Sequence, residues 1–209
     1  MSIENNKNYY KNNLENPKGD FGKVTNCLYN FYGLEKLLRK GFMLRNVGKE
    51  NCQTVSEHIA AVLNLALLIN LEYRMEEIDI TKVMQMLTIH EYGEIIIGDI
   101  TPFDGITPEE KHVAEEKAIK NIFKELDSKD YLLGLWNEFE ERKTKEAKFA
   151  YDMDKLEAAL KGRNYLANNK GEKPLEKFYK VTMAQLNFEE SKDVLKKAWQ
   201  NYFLKETLI

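Results

Sequence analysis

Two histidines and two carboxylates in three separate segments have the residue types that bind a divalent metal. His90 and Glu91 stand together in MLTIHEYGEIIIGDITP, His58 lies upstream in TVSEHIAAV, and Asp154 lies downstream in AYDMDKLEAAL. Imidazole nitrogens and carboxylate oxygens are common ligands of zinc and related metals. The pattern predicts one assembled metal site, and with it metal-assisted hydrolysis, most simply of a phosphate ester.

Two further carboxylates follow the His-Glu pair. If one helix continues from about residue 80 to 96, Glu94 falls on the same side as His90 and Glu91. Asp99 follows, where Gly98 is expected to end the helix. Burying so many acids without a cation is costly, so a divalent metal would offset their repulsion. Each motif alone also has a simpler explanation. A His-Glu pair on a helix is usually exposed to solvent, and a histidine near apolar residues is often a core residue with its hydrogen bonds satisfied.

The third histidine, His112 in KHVAEEKA, is interpreted as a surface residue among charges. A supporting contact behind the site, or a contact with substrate, is the alternative for His112. Lys111 beside it is equally ambiguous.

The helices that must position these residues dominate the chain. With 209 residues, 43% of them hydrophobic, the chain can form one ordered domain with a sizeable core. Strand-type alternation of Val, Ile and Thr is missing, so the predicted fold class is all-α, a compact single-domain helical bundle. Residues 1–22, rich in Asn and Lys, are expected to form a flexible arm before a single domain at 23–209. Helices are predicted at residues 28–39, 55–71, 80–96, 108–126, 130–142, 145–168, 175–186 and 189–204.

Two of these helices carry specific signals. The helix at 55–71 is apolar on nearly all sides, which is typical of the buried centre of a bundle. The segment Thr107-Pro108-Glu109-Glu110 has an N-cap, a proline at the first helical position and a glutamate at the third. This combination predicts a capping box that fixes the start of the helix.

Charge and cysteine content restrict the partners and the compartment. The net charge is -3 and no basic stripe stands out, which argues against a nucleic-acid polymer but allows a small phosphate ligand. Cys27 and Cys52 form no CxxC motif, so reduced thiols in a cytoplasmic protein are expected. The N-terminus lacks the apolar core of a secretory signal. The longest apolar stretch, 59–71, is too short to span a bilayer, so no membrane partner is expected.

Four segments in order carry a family resemblance: LRNVGKENCQTVSEH, HEYGEIIIGDITP, EEKHVAEEKAI and EAKFAYDMDKLEAAL. Together they resemble the HD-domain phosphohydrolases, and most closely their branch of 5'-deoxynucleotidase-like proteins. The resemblance covers about residues 30–166, and the C-terminal helices at 173–205 lie beyond it. It implies a bundle of the HD-domain type, a homodimer, and removal of the 5'-phosphate from (deoxy)nucleoside monophosphates.

The resemblance also assigns roles to residues. Glu94 and Asp99 match the carboxylates that handle water and proton transfer, and Arg45 matches a basic residue that meets the substrate phosphate. Arg39 and Phe42 occupy places where the family often has a basic residue and a tryptophan, so Phe42 could pack against a base or sugar. The residues that match the family's metal ligands are His58, His90, Glu91 and Asp154.

One residue departs from the family pattern. The family has His-Asp where this chain has His90-Glu91, and the extra methylene extends the carboxylate by about 1.5 Å. Glutamate remains an oxygen ligand, but the backbone or the metal must shift to accommodate it. Two nitrogens and two carboxylates suit one divalent ion, and Zn, Mn, Co, Ni and Fe(II) all fit.

Three other functions remain open from the sequence. Relatives with similar ligands hydrolyse nucleoside triphosphates or cyclic nucleotides, and pocket depth and loop cations would decide among these substrates. The Glu91 substitution could also mark a catalytically weak protein that binds a nucleotide for regulation. A purely structural helical protein is the third alternative.

Overall fold

The computed structural model describes residues 21–171 and 173–206. In this part of the chain the only pairing of the β type is an isolated bridge between Leu38 and Thr54, which confirms the all-α class. Short 3-10 turns occur at Tyr32–Glu35, Pro102–Asp104 and Lys173–Glu176. The α-helices are α1 Lys23–Phe31, α2 Lys40–Met43, α3 Val55–Glu72, α4 Ile80–Ile89, α5 Glu94–Ile97, α6 Pro108–Phe123, α7 Lys129–Glu141, α8 Lys145–Ala167, α9 Lys177–Gln185 and α10 Glu189–Glu206.

Helix α8 is the centre of the bundle. It packs against α3, α4, α7, α9 and α10, and residues around its whole circumference are buried. Phe149, Met153 and Leu156 contribute apolar side chains to the core. The same helix also carries four buried acids, Glu146, Asp152, Asp154 and Glu157. Buried carboxylates are costly without partners, and two of the four, Asp154 and Glu157, share one partner, His58.

Helix α3 is an outer helix, so the prediction that it is buried on all sides is wrong. It packs on one side against α4 and α8, and there Val62, Ala66 and Ile69 enter the core. The leucines at 67, 68 and 71 are exposed on the other side. By length and composition alone, this 18-residue helix with mean hydropathy 1.3 could cross a membrane; in the fold, 33% of it is buried.

The first predicted helix, at 28–39, is also wrong in its bounds. Helix α1 ends at Phe31, a 3-10 turn follows, and the chain then runs extended beside the residues that precede α3. Arg39 N donates to Gln53 O at 2.9 Å, and Val55 N donates to Leu37 O at 2.8 Å. This tertiary pairing overrides local helical preference. As a result, Arg39 lies on an extended segment close to the start of α3.

The helices after residue 107 follow the sequence signals closely. Thr107 caps α6 as predicted, since its hydroxyl accepts from Glu110 N at 3.2 Å while the Glu110 carboxylate accepts from Thr107 N at 2.9 Å. Helix α6 ends at Phe123, three residues before the predicted end. Gly98 ends α5 with a φ of 80°, a backbone conformation that favours glycine. The predicted N-terminal arm lies outside the described residues except for 21 and 22.

Candidate metal centre and active-site cavity

The helix that carries the His-Glu pair stops at the pair itself. The prediction of a continuous helix from 80 to 96 is wrong, because α4 ends at Ile89 and α5 begins at Glu94. Tight turns lie between them, with Tyr92 N bonded to Ile89 O and Glu94 N to Glu91 O, both at 3.0 Å. Regular helical spacing therefore does not set the geometry of His90, Glu91 and Glu94. The turns still bring all three side chains into the interior.

Gly93 lets this turn approach helix α6. A methyl group added at Gly93 would lie 2.9 Å from Glu115 Cγ and 3.1 Å from Glu115 Cα, which is too close for a backbone neighbour to accommodate cheaply. Gly93→Ala should therefore destabilise the fold by about 1–3 kcal/mol. Urea unfolding of the metal-free protein measures this change.

Gly134, within helix α7, provides the matched control: Gly93 also has helical dihedral angles (φ -54°, ψ -36°), and nothing lies within 4 Å of a methyl group added at Gly134. Gly134→Ala should leave stability unchanged or raise it by about 0.5–1 kcal/mol. Equal unfolding midpoints for the two variants would contradict the role of Gly93 in close packing.

The four predicted ligands converge. One ligand atom from each of His58, His90, Glu91 and Asp154 lies within 4.8 Å of the others, and all four residues are buried. His58 Nε2 is 3.1 Å from Asp154 Oδ1. Glu91 Oε1 is 3.8 Å from His58 Nε2 and 3.7 Å from His90 Nε2. The longer glutamate side chain thus reaches the same centre as the two imidazoles.

His90 is held in the form that binds a metal. Its Nδ1 donates to Leu87 O at 2.7 Å, so the other ring nitrogen carries the free lone pair. That nitrogen, Nε2, is buried without a hydrogen-bond partner among the described residues. Burial lowers the pKa of His90, which favours the neutral imidazole. A buried nitrogen acceptor aimed at two carboxylates is what a metal site requires.

His58 is oriented by Glu157, a residue that the sequence analysis missed. His58 Nδ1 and Glu157 Oε2 are 2.6 Å apart, and Gln53 Nε2 donates to the other oxygen of Glu157 at 2.8 Å. Burial works to lower the pKa of His58, but the contacts with Glu157 and Asp154 outweigh it and raise the pKa. A carboxylate behind a ligating histidine fixes its tautomer and ring orientation. The signal was present, because Glu157 is one turn after Asp154 on α8.

The two acidic ligands each bind a cation that faces the cavity. Arg39 Nη1 donates to Glu91 Oε1 at 2.7 Å, and Lys155 Nζ donates to Asp154 Oδ2 at 2.7 Å. Burial works to raise the pKa of Glu91, but the neighbouring His90 and the Arg39 guanidinium outweigh it and bring the pKa to about 2. Lys155 and His58 likewise outweigh burial and hold the pKa of Asp154 well below its usual range. Both carboxylates are therefore ionised at neutral pH.

These residues fit a divalent metal. Bonds of about 2.0–2.2 Å place the ligand atoms of one ion roughly 3–4 Å apart, close to the separations between Glu91 and the two histidines. The free Nε2 of His90 and the two ionised carboxylates supply suitable donors. The donor set of two nitrogens and two oxygens matches the predicted ligands.

The cluster lies beside a cavity of about 700 Å³, which Glu94 and Asp99 also line. Glu94 is buried and its Oε2 has no hydrogen-bond partner among the described residues. Burial and the charges of Glu91 and Asp99 raise the pKa of Glu94 well above its usual value. Asp99 Oδ2 accepts from the backbone N of Lys40 at 2.6 Å, which fixes this carboxylate against α2.

Lys111 lines the cavity, whereas His112 does not. Lys111 Nζ lies 3.9 Å from Glu94 Oε1 and 3.2 Å from Glu115 Oε1, so one ammonium bridges two buried acids. His112 stacks on Trp136 with ring centroids 5.2 Å apart, and its Nδ1 is 3.4 Å from Glu140 Oε2. His112 is half-exposed between α6 and α7 and lies beside the Glu140 carboxylate, which agrees with its interpretation as a surface residue among charges.

Arg45 and Phe42 border the cavity in different ways. Arg45 Nη1 donates to Gly41 O at 2.6 Å, and its guanidinium lies over the Phe178 ring at 4.6 Å. Phe42 is 2% exposed and packs against Tyr165 and Phe178. The phosphate role of Arg45 stays a prediction, and so does the packing of Phe42 on a base or sugar.

The chain belongs to the HD-domain family, whose model matches residues 34–197. The 5'-deoxynucleotidase HDDC2 of Mus musculus is 33% identical over 161 residues, which is 75% of this chain and 77% of that protein. The protein of the same name in Dictyostelium discoideum is 34% identical over 138 residues, 63% of this chain and 72% of the relative. In fold, the PH0347 protein of Pyrococcus horikoshii OT3 is similar with a TM-score of 0.69 and 23% identity, over 85% of this chain and 97% of that one.

Proposed function

We propose that this protein is a metal-dependent phosphohydrolase that removes the 5'-phosphate from deoxynucleoside and ribonucleoside monophosphates. The buried cluster of His58, His90, Glu91 and Asp154 beside the cavity is the observation that carries the proposal. Relatives named 5'-deoxynucleotidase support the substrate class.

The proposed catalytic groups, Glu94 and Asp99, line the cavity beside the four clustered residues. When bound by the four ligands, a divalent metal would neutralise phosphate charge and lower the pKa of a water molecule. Glu94, with a buried oxygen that lacks a hydrogen-bond partner, orients this water and accepts its proton. Asp99, fixed by Lys40 N, is the carboxylate that transfers a proton to the leaving 5'-oxygen. The products are a nucleoside and inorganic phosphate.

Lys155 is a candidate phosphate ligand in addition to the predicted Arg45. It lines the cavity, it is next to the ligand Asp154, and its side chain is 36% exposed. The ammonium has three donors, of which Asp154 takes one at 2.7 Å. The remaining donors are free to bind non-bridging oxygens of a phosphate at this centre.

Lys155→Met should raise KM for a nucleoside monophosphate by roughly 10- to 100-fold, because the substrate phosphate would lose one charge-assisted hydrogen bond. Steady-state kinetics with saturating metal measures this effect, and metal content must be checked because Lys155 contacts Asp154. Lys148→Met, an exposed position on the same helix, is the control. An unchanged KM in the Lys155 variant would show that Lys155 does not bind the phosphate.

The direct test is phosphate release from a panel of deoxy- and ribonucleoside monophosphates with Mn, Co, Zn, Ni, Fe(II) and Mg. Metal-dependent release from the panel would support the proposal. Nucleoside triphosphates and cyclic nucleotides belong in the same assay. Release of pyrophosphate or triphosphate would indicate that nucleoside triphosphates, and not monophosphates, are the substrates. Binding without release under any metal would favour a regulatory protein, and a large rise in activity in Glu91→Asp would then indicate a partly degraded site.

We also propose a cytoplasmic homodimer. The free thiols of Cys27 and Cys52 are consistent with a reducing compartment. The exposed leucines at 67, 68 and 71 offer apolar surface for a second copy, in keeping with the family resemblance. Light scattering on the purified protein and fractionation of cells test these two proposals.

A further inference from the structure

The mouth of the cavity carries an exposed aromatic ring. Phe103 is 72% exposed and lines the cavity. Scattered exposed apolar residues are normal on protein surfaces and need no explanation. Among the large apolar side chains exposed in the described part of the chain, however, only Phe103 and Val181 border the cavity. Phe103 is therefore the exposed aromatic ring that a bound substrate can reach.

The turn that presents Phe103 is held in place on both sides. Thr101 Oγ1 accepts from Phe103 N at 3.4 Å, and the Asp104 carboxylate accepts from Thr101 N at 2.8 Å. Asp104 also forms an ion pair with Lys40 of α2. An exposed ring on a braced turn loses little conformational freedom when a ligand binds, which favours affinity.

The surroundings of Phe103 match a planar, partly polar ligand. The Arg45 guanidinium lies 5.9 Å from the centre of the Phe103 ring and 4.6 Å from that of Phe178. Phe42, the residue first expected to contact a base, is covered by Tyr165 and Phe178. The exposed stacking surface thus belongs to Phe103, and Phe42 supports Phe178 from behind.

We propose that Phe103 stacks on the nucleobase of the substrate and so selects nucleotides over phosphate esters that lack a base. This inference rests on the proposed nucleotidase function. The cavity, at about 700 Å³, combines acids and cations with an aromatic wall, as sites for small amphipathic ligands do. Because every base has a π-face, stacking on Phe103 tolerates all bases, and the enzyme is expected to accept purines and pyrimidines alike.

The test compares two substrates in the native protein and in one variant. Phe103→Ala should raise KM for deoxyadenosine 5'-monophosphate roughly tenfold, as expected from the loss of one base-aromatic stack. KM for 2-deoxyribose 5-phosphate, which has no base, should not change. Free deoxyadenosine should inhibit hydrolysis of p-nitrophenyl phosphate competitively in the native protein, and its inhibition constant should rise by the same factor in Phe103→Ala.

Three further variants separate stacking from other effects. Phe103→Trp should keep a low KM for the nucleotide, whereas Phe103→Leu should behave like the alanine variant. Tyr131→Ala removes an exposed ring outside the cavity and should leave KM unchanged for both substrates. Equal KM changes for both substrates, or none for the nucleotide, would overturn the role of Phe103 while leaving the nucleotidase proposal intact. If the native protein releases no phosphate from any nucleotide, the proposed function itself fails.

Discussion

Glu94→Gln should lower the rate of phosphate release by about 100- to 10,000-fold while the protein still binds its metal. The substitution preserves the shape of the side chain but removes the carboxylate that accepts the proton of water. Glu94 is buried at the cavity and is not one of the four clustered ligands, so the metal should remain. Turnover of a nucleoside monophosphate and metal content of the same sample measure the two effects.

Glu146→Gln is the control for this variant, since Glu146 is a buried glutamate that does not line the cavity. Activity of the Glu94 variant within threefold of the native protein would exclude Glu94 as the base. The pH profile adds a second test. Burial raises the pKa of Glu94, and a base must be ionised, so activity should fall as pH decreases through that raised pKa.

His90→Ala should abolish activity and weaken metal binding by more than about 100-fold. Loss of a residue that merely orients a ligand already costs about 10- to 100-fold in metal affinity, and His90 supplies a ligand atom itself. Its Nε2 is the buried nitrogen without a partner among the described residues. Titration of the metal-free protein by calorimetry gives the affinity directly.

The third histidine makes a matched control. His112→Ala removes an imidazole that stacks on Trp136 outside the cavity, so metal affinity and turnover should both be preserved. If the two alanine variants bound metal equally well, the proposed centre would be wrong.

The sequence predicts which residues gather at the candidate site better than it predicts their arrangement. His58, His90, Glu91 and Asp154 were identified by residue type and order, and the structure brings them together. The turn between α4 and α5 was not foreseen, because Tyr92 and Gly93 do not by themselves interrupt a helical pattern. At this turn Gly93 lies close to Glu115 of helix α6, a tertiary contact that the sequence pattern does not reveal.

The missed residues depend on tertiary contacts in the same way. Glu157 and Lys155 lie in the segment that already contained Asp154, but an acid and a lysine on a helix usually face solvent. Only the burial of α8 on all sides turns Glu157 toward His58. Phe42 and Phe103 illustrate a second difficulty. The sequence does not reveal which of two aromatic rings is buried by its neighbours and which stays exposed.

The four ligands come from helix α3, the turn after α4 and helix α8, segments that are far apart along the chain. An unfolded chain cannot present them together, so a divalent metal held by these residues would bind the native state and shift the folding equilibrium by mass action. At a free metal concentration 100 times its dissociation constant, this shift is about 2.7 kcal/mol. If these residues hold the proposed metal, the lifetime of the protein against cellular proteases depends on the metal supply, and scarcity of the metal would reduce the amount of protein as well as its metal occupancy.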